Sequence, residues 1–159
     1  MIIKELRDED FVNYKKPSMF LGFPSCSFKC CKEGNFPIEV CQNCELAKAK
    51  NIEISAEQIV ERFVNNPITS AIVCGGMEPF DSWEDLLYLV KTLRAYTSLD
   101  CVIYTGYNKE EIKDKVLILK QFNNIVIKYG RYQPGHQSHY DSILGVNLVS
   151  NNQYAERIS

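Results

Sequence analysis

An α/β fold is predicted for this chain of 159 residues, as a partial, open (β/α) barrel or curved parallel sheet with a cysteine-rich loop after its first strand. Three observations predict it. Short apolar runs alternate with capped amphipathic stretches, the runs break at glycine or proline, and four such βα periods are visible where a closed barrel needs eight. Helices of about ten residues between strands imply right-handed crossovers and a parallel sheet, with ligands gathering at the carboxyl ends of the strands. The length suits a single domain over 1–159.

The first run is Ser18 to Phe23 (SMFLGF), set between Pro17 and Pro24 as a buried strand that feeds the cysteine loop. Glu45 to Lys50 has helix-forming composition but is short. Ser55 and Gln58 form a capping box for a helix on which Ile59, Val60, Phe63 and Val64 recur until Asn65 and Pro67 stop it. Ser70 to Cys74 is a second strand, broken at Gly75-Gly76. Asp81 or Ser82 caps the next helix, whose apolar face runs from Leu86 to Leu93. Cys101 to Thr105 is a third strand. Asn108 and Glu111 open another capped helix through Leu119, and Asn124 to Tyr129 (NIVIKY) is a fourth strand. After Gly130 the periodicity fades, and only Ile143 to Val149 suggests one more strand.

A net charge of −2, with 45% hydrophobic and 24% charged residues, describes a globular protein with no basic surface for nucleic acid or anionic membrane. The charged start MIIKELRDEDF lacks the apolar stretch of a signal peptide, and no later run approaches membrane-spanning length, so a cytoplasmic location is expected. Seven cysteines is an odd number, which excludes a complete disulfide framework.

Five of those cysteines lie in Cys26 to Cys44 (CSFKCCKEGNFPIEVCQNC), which in a reducing compartment reads as a metal or iron-sulfur site. By spacing alone, Cys26, Cys30 or Cys31, Cys41 and Cys44 also suit a closed zinc site of four thiolates. Cys74 and Cys101 read as small core residues in strands. Gly75-Gly76 serves either as a strand-to-helix turn or as a close backbone approach to a ligand, with Glu78 as an acceptor for an ammonium. His136 and His139 lie in a loop rich in turn residues and read as surface histidines. Trp83 reads as helix packing. Tyr129 to Tyr140 places three tyrosines and an arginine near an open sheet edge, for docking or for covering the core.

Cys26 and Cys30, with three residues between them, resemble the opening of the cluster motif of the radical S-adenosylmethionine (SAM) superfamily. The usual third cysteine would fall at Glu33, so the chain departs from the common pattern; Cys41-Gln42-Asn43 resembles the third-cysteine segment of the glycyl-radical activating enzymes after an insertion of eight residues. Gly75-Gly76-Met77-Glu78-Pro79 is similar to the Gly-Gly-Glu/Asp-Pro motif that binds the SAM amino group, with Met77 as an extra residue. Tyr104-Thr105-Gly106-Tyr107 and Ser150-Asn151-Asn152-Gln153 resemble segments of the activating proteins of anaerobic ribonucleotide reductases.

The resemblance implies a 4Fe-4S cluster on Cys26, Cys30 and Cys41, with its fourth iron open to SAM. It implies SAM contacts from Gly75, Gly76, Met77, Glu78, Thr105, Gly106, Ser150 and Asn151, and no catalytic side chain of the chain's own. The implied activity is reductive cleavage of SAM to place a glycyl radical on a partner, an anaerobic ribonucleotide reductase, with electrons from a flavodoxin or ferredoxin. A non-catalytic zinc or iron-sulfur module and a radical SAM enzyme with a small substrate are the alternatives.

Overall fold

Six strands form the central sheet of the computed structural model, which describes residues 1–159. The chain runs β1 (Ile2–Ile3), β2 (Glu5–Asp10), β3 (Ser18–Phe23), α1 (Lys29–Gly34), α2 (Cys44–Lys48), β4 (Ile52–Glu53), α3 (Ala56–Val64) and β5 (Ala71–Gly76). It continues through α4 (Trp83–Tyr96), β6 (Asp100–Tyr104), α5 (Lys113–Leu119), β7 (Ile125–Tyr129), β8 (His139–Asp141), β9 (Val146–Leu148) and β10 (Tyr154–Arg157). The sheet order is β10-β7-β6-β5-β3-β2, and the four inner strands are parallel. Both edge strands are antiparallel to their neighbours. The sheet is open, with no closed barrel. No helix is long and apolar enough to cross a membrane.

All four strands expected from apolar runs are present, and they are the parallel ones. The cysteine loop therefore follows the first parallel strand, β3, although β1 and β2 precede that strand in the chain. β2 (ELRDED) and β10 (YAER) lie at the edges, where a partly exposed strand tolerates charge. β9 falls inside the run Ile143 to Val149 and forms a hairpin with β8.

Strand alternation divides the core in two. Met19, Leu21, Phe23, Ile72, Cys74, Cys101, Ile103, Ile125 and Ile127 face α3, α4 and α5 in the larger cluster, and all are 0% exposed. Cys74 and Cys101 thus sit in the core as small residues. Phe20, Val73, Val102 and Val126 point to the other face, where Ala155 of β10 joins them and Leu144 and Leu148 cover them with no helix involved. Burying side chains of this size contributes about 1.5–3 kcal/mol each, so both faces are held. The helix-free face, at the carboxyl ends of the strands, is where space remains.

Ser55 and Gln58 make the expected capping box on α3, and Glu111 accepts the Asn108 N–H at 2.8 Å. The cap expected on α4 is different. Ser82 occupies the N-cap position without a side-chain bond, and Asp81 is turned away to the cysteine loop. Trp83 stacks on Phe80 with ring centroids 6.0 Å apart, as helix packing.

Candidate metal centre

Three loops meet at the carboxyl ends of β3, β5 and β6, because parallel strands paired in register end at one level. Gly22 and Phe23 pair with Gly75 and Gly76, and Cys74 with Ile103. The cysteine loop leaves β3, makes one short helix, α1, that carries Cys30 and Cys31, and a second, α2, that begins at Cys44. Phe28 before α1 has φ 53° and Asn35 after it φ 50°, so left-handed residues turn the chain at both ends.

Cross-links between loops hold this arrangement. The Glu78 N–H donates to Ser25 O at 2.7 Å. Asp81 accepts the Ser27 N–H at 2.7 Å and the Tyr107 hydroxyl at 2.5 Å, which joins all three loops at one carboxylate. Asn43 Nδ2 donates to Gly76 O and ties the cysteine loop to the glycine turn. Gly76 has φ +77°, and a Cβ there would lie 2.6 Å from Gly22 Cα, so only glycine fits.

Arg131, just beyond β7, is the second anchor. It is 7% exposed. Its guanidinium grips Glu33 with Nε and Nη2 at 2.9 and 3.0 Å, bonds Glu111 at 2.7 Å and donates to Gly106 O. Glu33, where the common motif would have its third cysteine, is thus the partner of an ion pair. Burial works to raise the Glu111 carboxyl, but Arg131, the Asn108 N–H and Lys29 outweigh it and hold it at about 2.

A cavity of about 380 Å³ opens among these loops on the helix-free face. Cys26, Cys30 and Cys41 line it with Gly75, Gly76, Met77, Glu78, Thr105 and Gly106. Val146 to Val149 from the β8–β9 hairpin form the opposite wall, and Gln153 completes it. Cys31 and Cys44 do not line it: Cys31 is 5% exposed in the body of the loop, and Cys44 lies next to Glu45 at the start of α2. A more open hollow near Met1, Glu53 and Gln58 contains none of the motifs.

Glu78 is nine-tenths buried at the cavity wall. It accepts from Thr105 Oγ1 at 2.7 Å, from the Gly106 N–H at 2.8 Å and from the Phe80 N–H at 3.2 Å. Burial raises its pKa to about 7, and those three donors limit the rise. Burial pushes the Cys26 thiol up to about 12, with Glu78 and Asp81 adding to the effect, and raises Cys30 as well. Coordination to iron removes these protons outright.

Ser150 and Asn151 lie beside the cavity rather than on its lining. Ser150 is 0% exposed, and its hydroxyl exchanges hydrogen bonds with the Gln133 backbone at 2.9 and 3.2 Å. Asn151 is exposed and bonds His136 Nδ1 at 2.9 Å, while His139 starts β8. Among the three tyrosines of the stretch read as docking or as covering the core, Tyr129 is in the core, Tyr132 lines the cavity and Tyr140 is exposed.

Sequence reading took Asp81 for a helix cap and Arg131 for part of a docking or covering stretch, gave Tyr107 no contact of its own, and passed over Lys128. Lys128 did carry a signal, as the single charge within the apolar run NIVIKY.

The donor set fits an iron-sulfur cluster. Three free thiols line one cavity, and the Phe28 N–H donates to Cys26 Sγ at 3.2 Å. Such N–H···S bonds tune cluster sulfurs. No three His, Cys, Asp or Glu side chains converge on a single-ion point, and a cluster does not require it, since each thiolate takes a different iron. A Cβ on Gly106 would lie 3.1 Å from Cys30 Sγ and 3.6 Å from Glu78 Oε2, so the missing side chain leaves room beside the sulfur. No curated protein and no solved structure matches the chain. Residues 19–154 match the 4Fe-4S single cluster domain, a span that starts within β3 and takes in every loop of the site. By that match, over most of its length, the chain belongs to the family of 4Fe-4S single cluster domains.

Proposed function

We propose that the protein is a radical SAM activating enzyme that places a glycyl radical on a partner, an anaerobic ribonucleotide reductase. One arrangement supports the reading. The three cysteines, Gly75 to Glu78 and Thr105-Gly106 surround a single cavity at the ends of adjacent parallel strands, with a buried carboxylate in its wall. The open sheet is read as the partial barrel of that superfamily, and the thiol-rich site suits a cytoplasmic, reducing setting.

Cys26, Cys30 and Cys41 would hold the 4Fe-4S cluster. When bound and reduced, the cluster would supply the one electron that splits SAM into methionine and a deoxyadenosyl radical able to take a hydrogen atom from glycine. The chain's own residues bind and orient. Glu78, fixed by Thr105 and Gly106, offers its free lone pair to the SAM ammonium. Gly75 and Gly76 let the backbone approach the amino acid end. Met77, Leu148 and Val149 shield the cavity from water. The substrate pocket belongs to the partner, and electrons come from a flavodoxin or ferredoxin.

The test is anaerobic reconstitution, reduction and addition of SAM together with the reductase. The expected products are 5′-deoxyadenosine, measured by chromatography, and a glycine-centred radical, measured by electron paramagnetic resonance. SAM cleavage with no radical on the reductase would favour a small substrate, and no cleavage would favour a binding module.

A further inference from the structure

Charged groups around the cysteine loop are mostly partnered. Lys29, Lys48 and Lys109 sit in ion pairs, and Arg131 holds two carboxylates. Lys128 does not. It lies in β7 and is 7% exposed, and its ammonium makes a single hydrogen bond, to Gly130 O at 3.2 Å. Alternation along β7 puts it on the same face as Val126, and it lines the cavity with Cys26, Cys30 and Cys41. Its main chain is fixed by the Thr105 N–H, which donates to Lys128 O at 2.8 Å. Glu78 shares the wall and its charge acts on the ammonium, but no hydrogen bond or ion pair joins the two; burial lowers the Lys128 pKa to about 8, and Glu78 and Cys30 oppose that fall. A buried cation with unused donors is costly unless a negative group answers it.

We propose that Lys128 sets the reduction potential of the 4Fe-4S cluster on Cys26, Cys30 and Cys41 by fixing a positive charge beside the Cys30 ligand. The inference rests on the family's cluster and the three-cysteine ligand set; it needs neither SAM nor a protein partner. Reduction takes one electron from a one-electron donor, breaks no bond and moves no proton. With three thiolates attached the cluster is negative, and the added electron makes it more so. A nearby cation favours the reduced state, and cluster potentials respond to such charges and to hydrogen bonds on the sulfurs. The positive charges of Lys128 and Arg131 favour the Cys30 thiolate in the same sense.

The experiment compares wild type, Lys128→Met and Lys128→Arg, each reconstituted anaerobically and counted for iron and sulfide. Midpoint potentials are read from the paramagnetic signal of the reduced cluster. The Met variant should titrate at a more negative potential, so that at the wild-type midpoint its reduced-to-oxidised ratio is about 10- to 30-fold lower. The Arg variant, which keeps the charge, should titrate with the wild type. An unchanged midpoint in a fully loaded Met variant would overturn the proposal, as would equal shifts in Met and Arg, which mark packing rather than charge. Weaker SAM binding at an unchanged midpoint would assign the ammonium to a ligand carboxylate instead. If the Met variant does not load, Lys128→Gln is read in the same way. Failure of both where Arg succeeds would make Lys128 a residue for cluster retention and also overturn the proposal.

Discussion

Thr105 Oγ1 donates to Glu78 Oε1 at 2.7 Å, which fastens the end of β6 to the turn after β5 and points one carboxylate at the cavity. Glu78→Ala removes a charge-assisted acceptor worth about 1.5–3 kcal/mol, so SAM should bind roughly 10- to 150-fold more weakly. The free carboxyl titrates at about 7 and accepts an ammonium only when ionised. SAM affinity should therefore fall as pH drops below about 7, and calorimetry should show that dependence vanish in Glu78→Gln. Unchanged affinity in a fully loaded Ala variant would remove Glu78 from the site.

The three cysteines on the cavity wall give an ordering. Ala at Cys26, Cys30 or Cys41 should each abolish the visible absorption of the reconstituted cluster, while Ala at Cys31 or Cys44 should leave it largely intact. Loss with Cys44→Ala and retention with Cys41→Ala would transfer the third ligand to Cys44. Loss with both would indicate four thiolates.

Gly76→Ala should cost about 2–5 kcal/mol, since φ is +77° and the new Cβ would meet Gly22 Cα at 2.6 Å and Leu46 at 2.9 Å. Gly75→Ala is tight only against the Phe20 ring, at 3.2 Å, with Tyr104 Cβ at an ordinary 3.6 Å, and should cost about 1 kcal/mol. Denaturant melts of the two variants compare them directly; equal costs would contradict the turn geometry.

Acid should loosen the Arg131 anchor. The Glu111 carboxyl is depressed to about 2 in the fold against an ordinary value of 4.5. Its contribution is therefore complete above about 4.5 and is lost as pH falls toward 2. Because Glu111 is partly exposed, that contribution is about 1 kcal/mol. Glu111→Gln should lower stability at neutral pH and flatten this part of the acid profile.

The parallel strands were legible because burial on both faces leaves uninterrupted apolar runs such as SMFLGF and NIVIKY. The edge strand ELRDED was not, since it carries five charges in six residues and its strand character comes only from pairing with β3. At the site, Glu78, Thr105 and Gly106 were legible as short segments at strand ends. The Asp81 bond to Ser27 and the Arg131 grip on Glu33 join residues 54 and 98 positions apart, and no local pattern marks such pairs.

The two antiparallel margins have a further consequence. A parallel sheet that ended at β3 and β7 would offer bare rows of amide and carbonyl groups flanked by Val, Ile and Leu to any passing copy. Instead the outermost strands present Glu5, Arg7, Asp8 and Glu9 on one side and Glu156 and Arg157 on the other. Charged borders of this kind repel a second sheet. The polypeptide is thereby equipped to stay dispersed through the interval between its synthesis and the arrival of iron and sulfide.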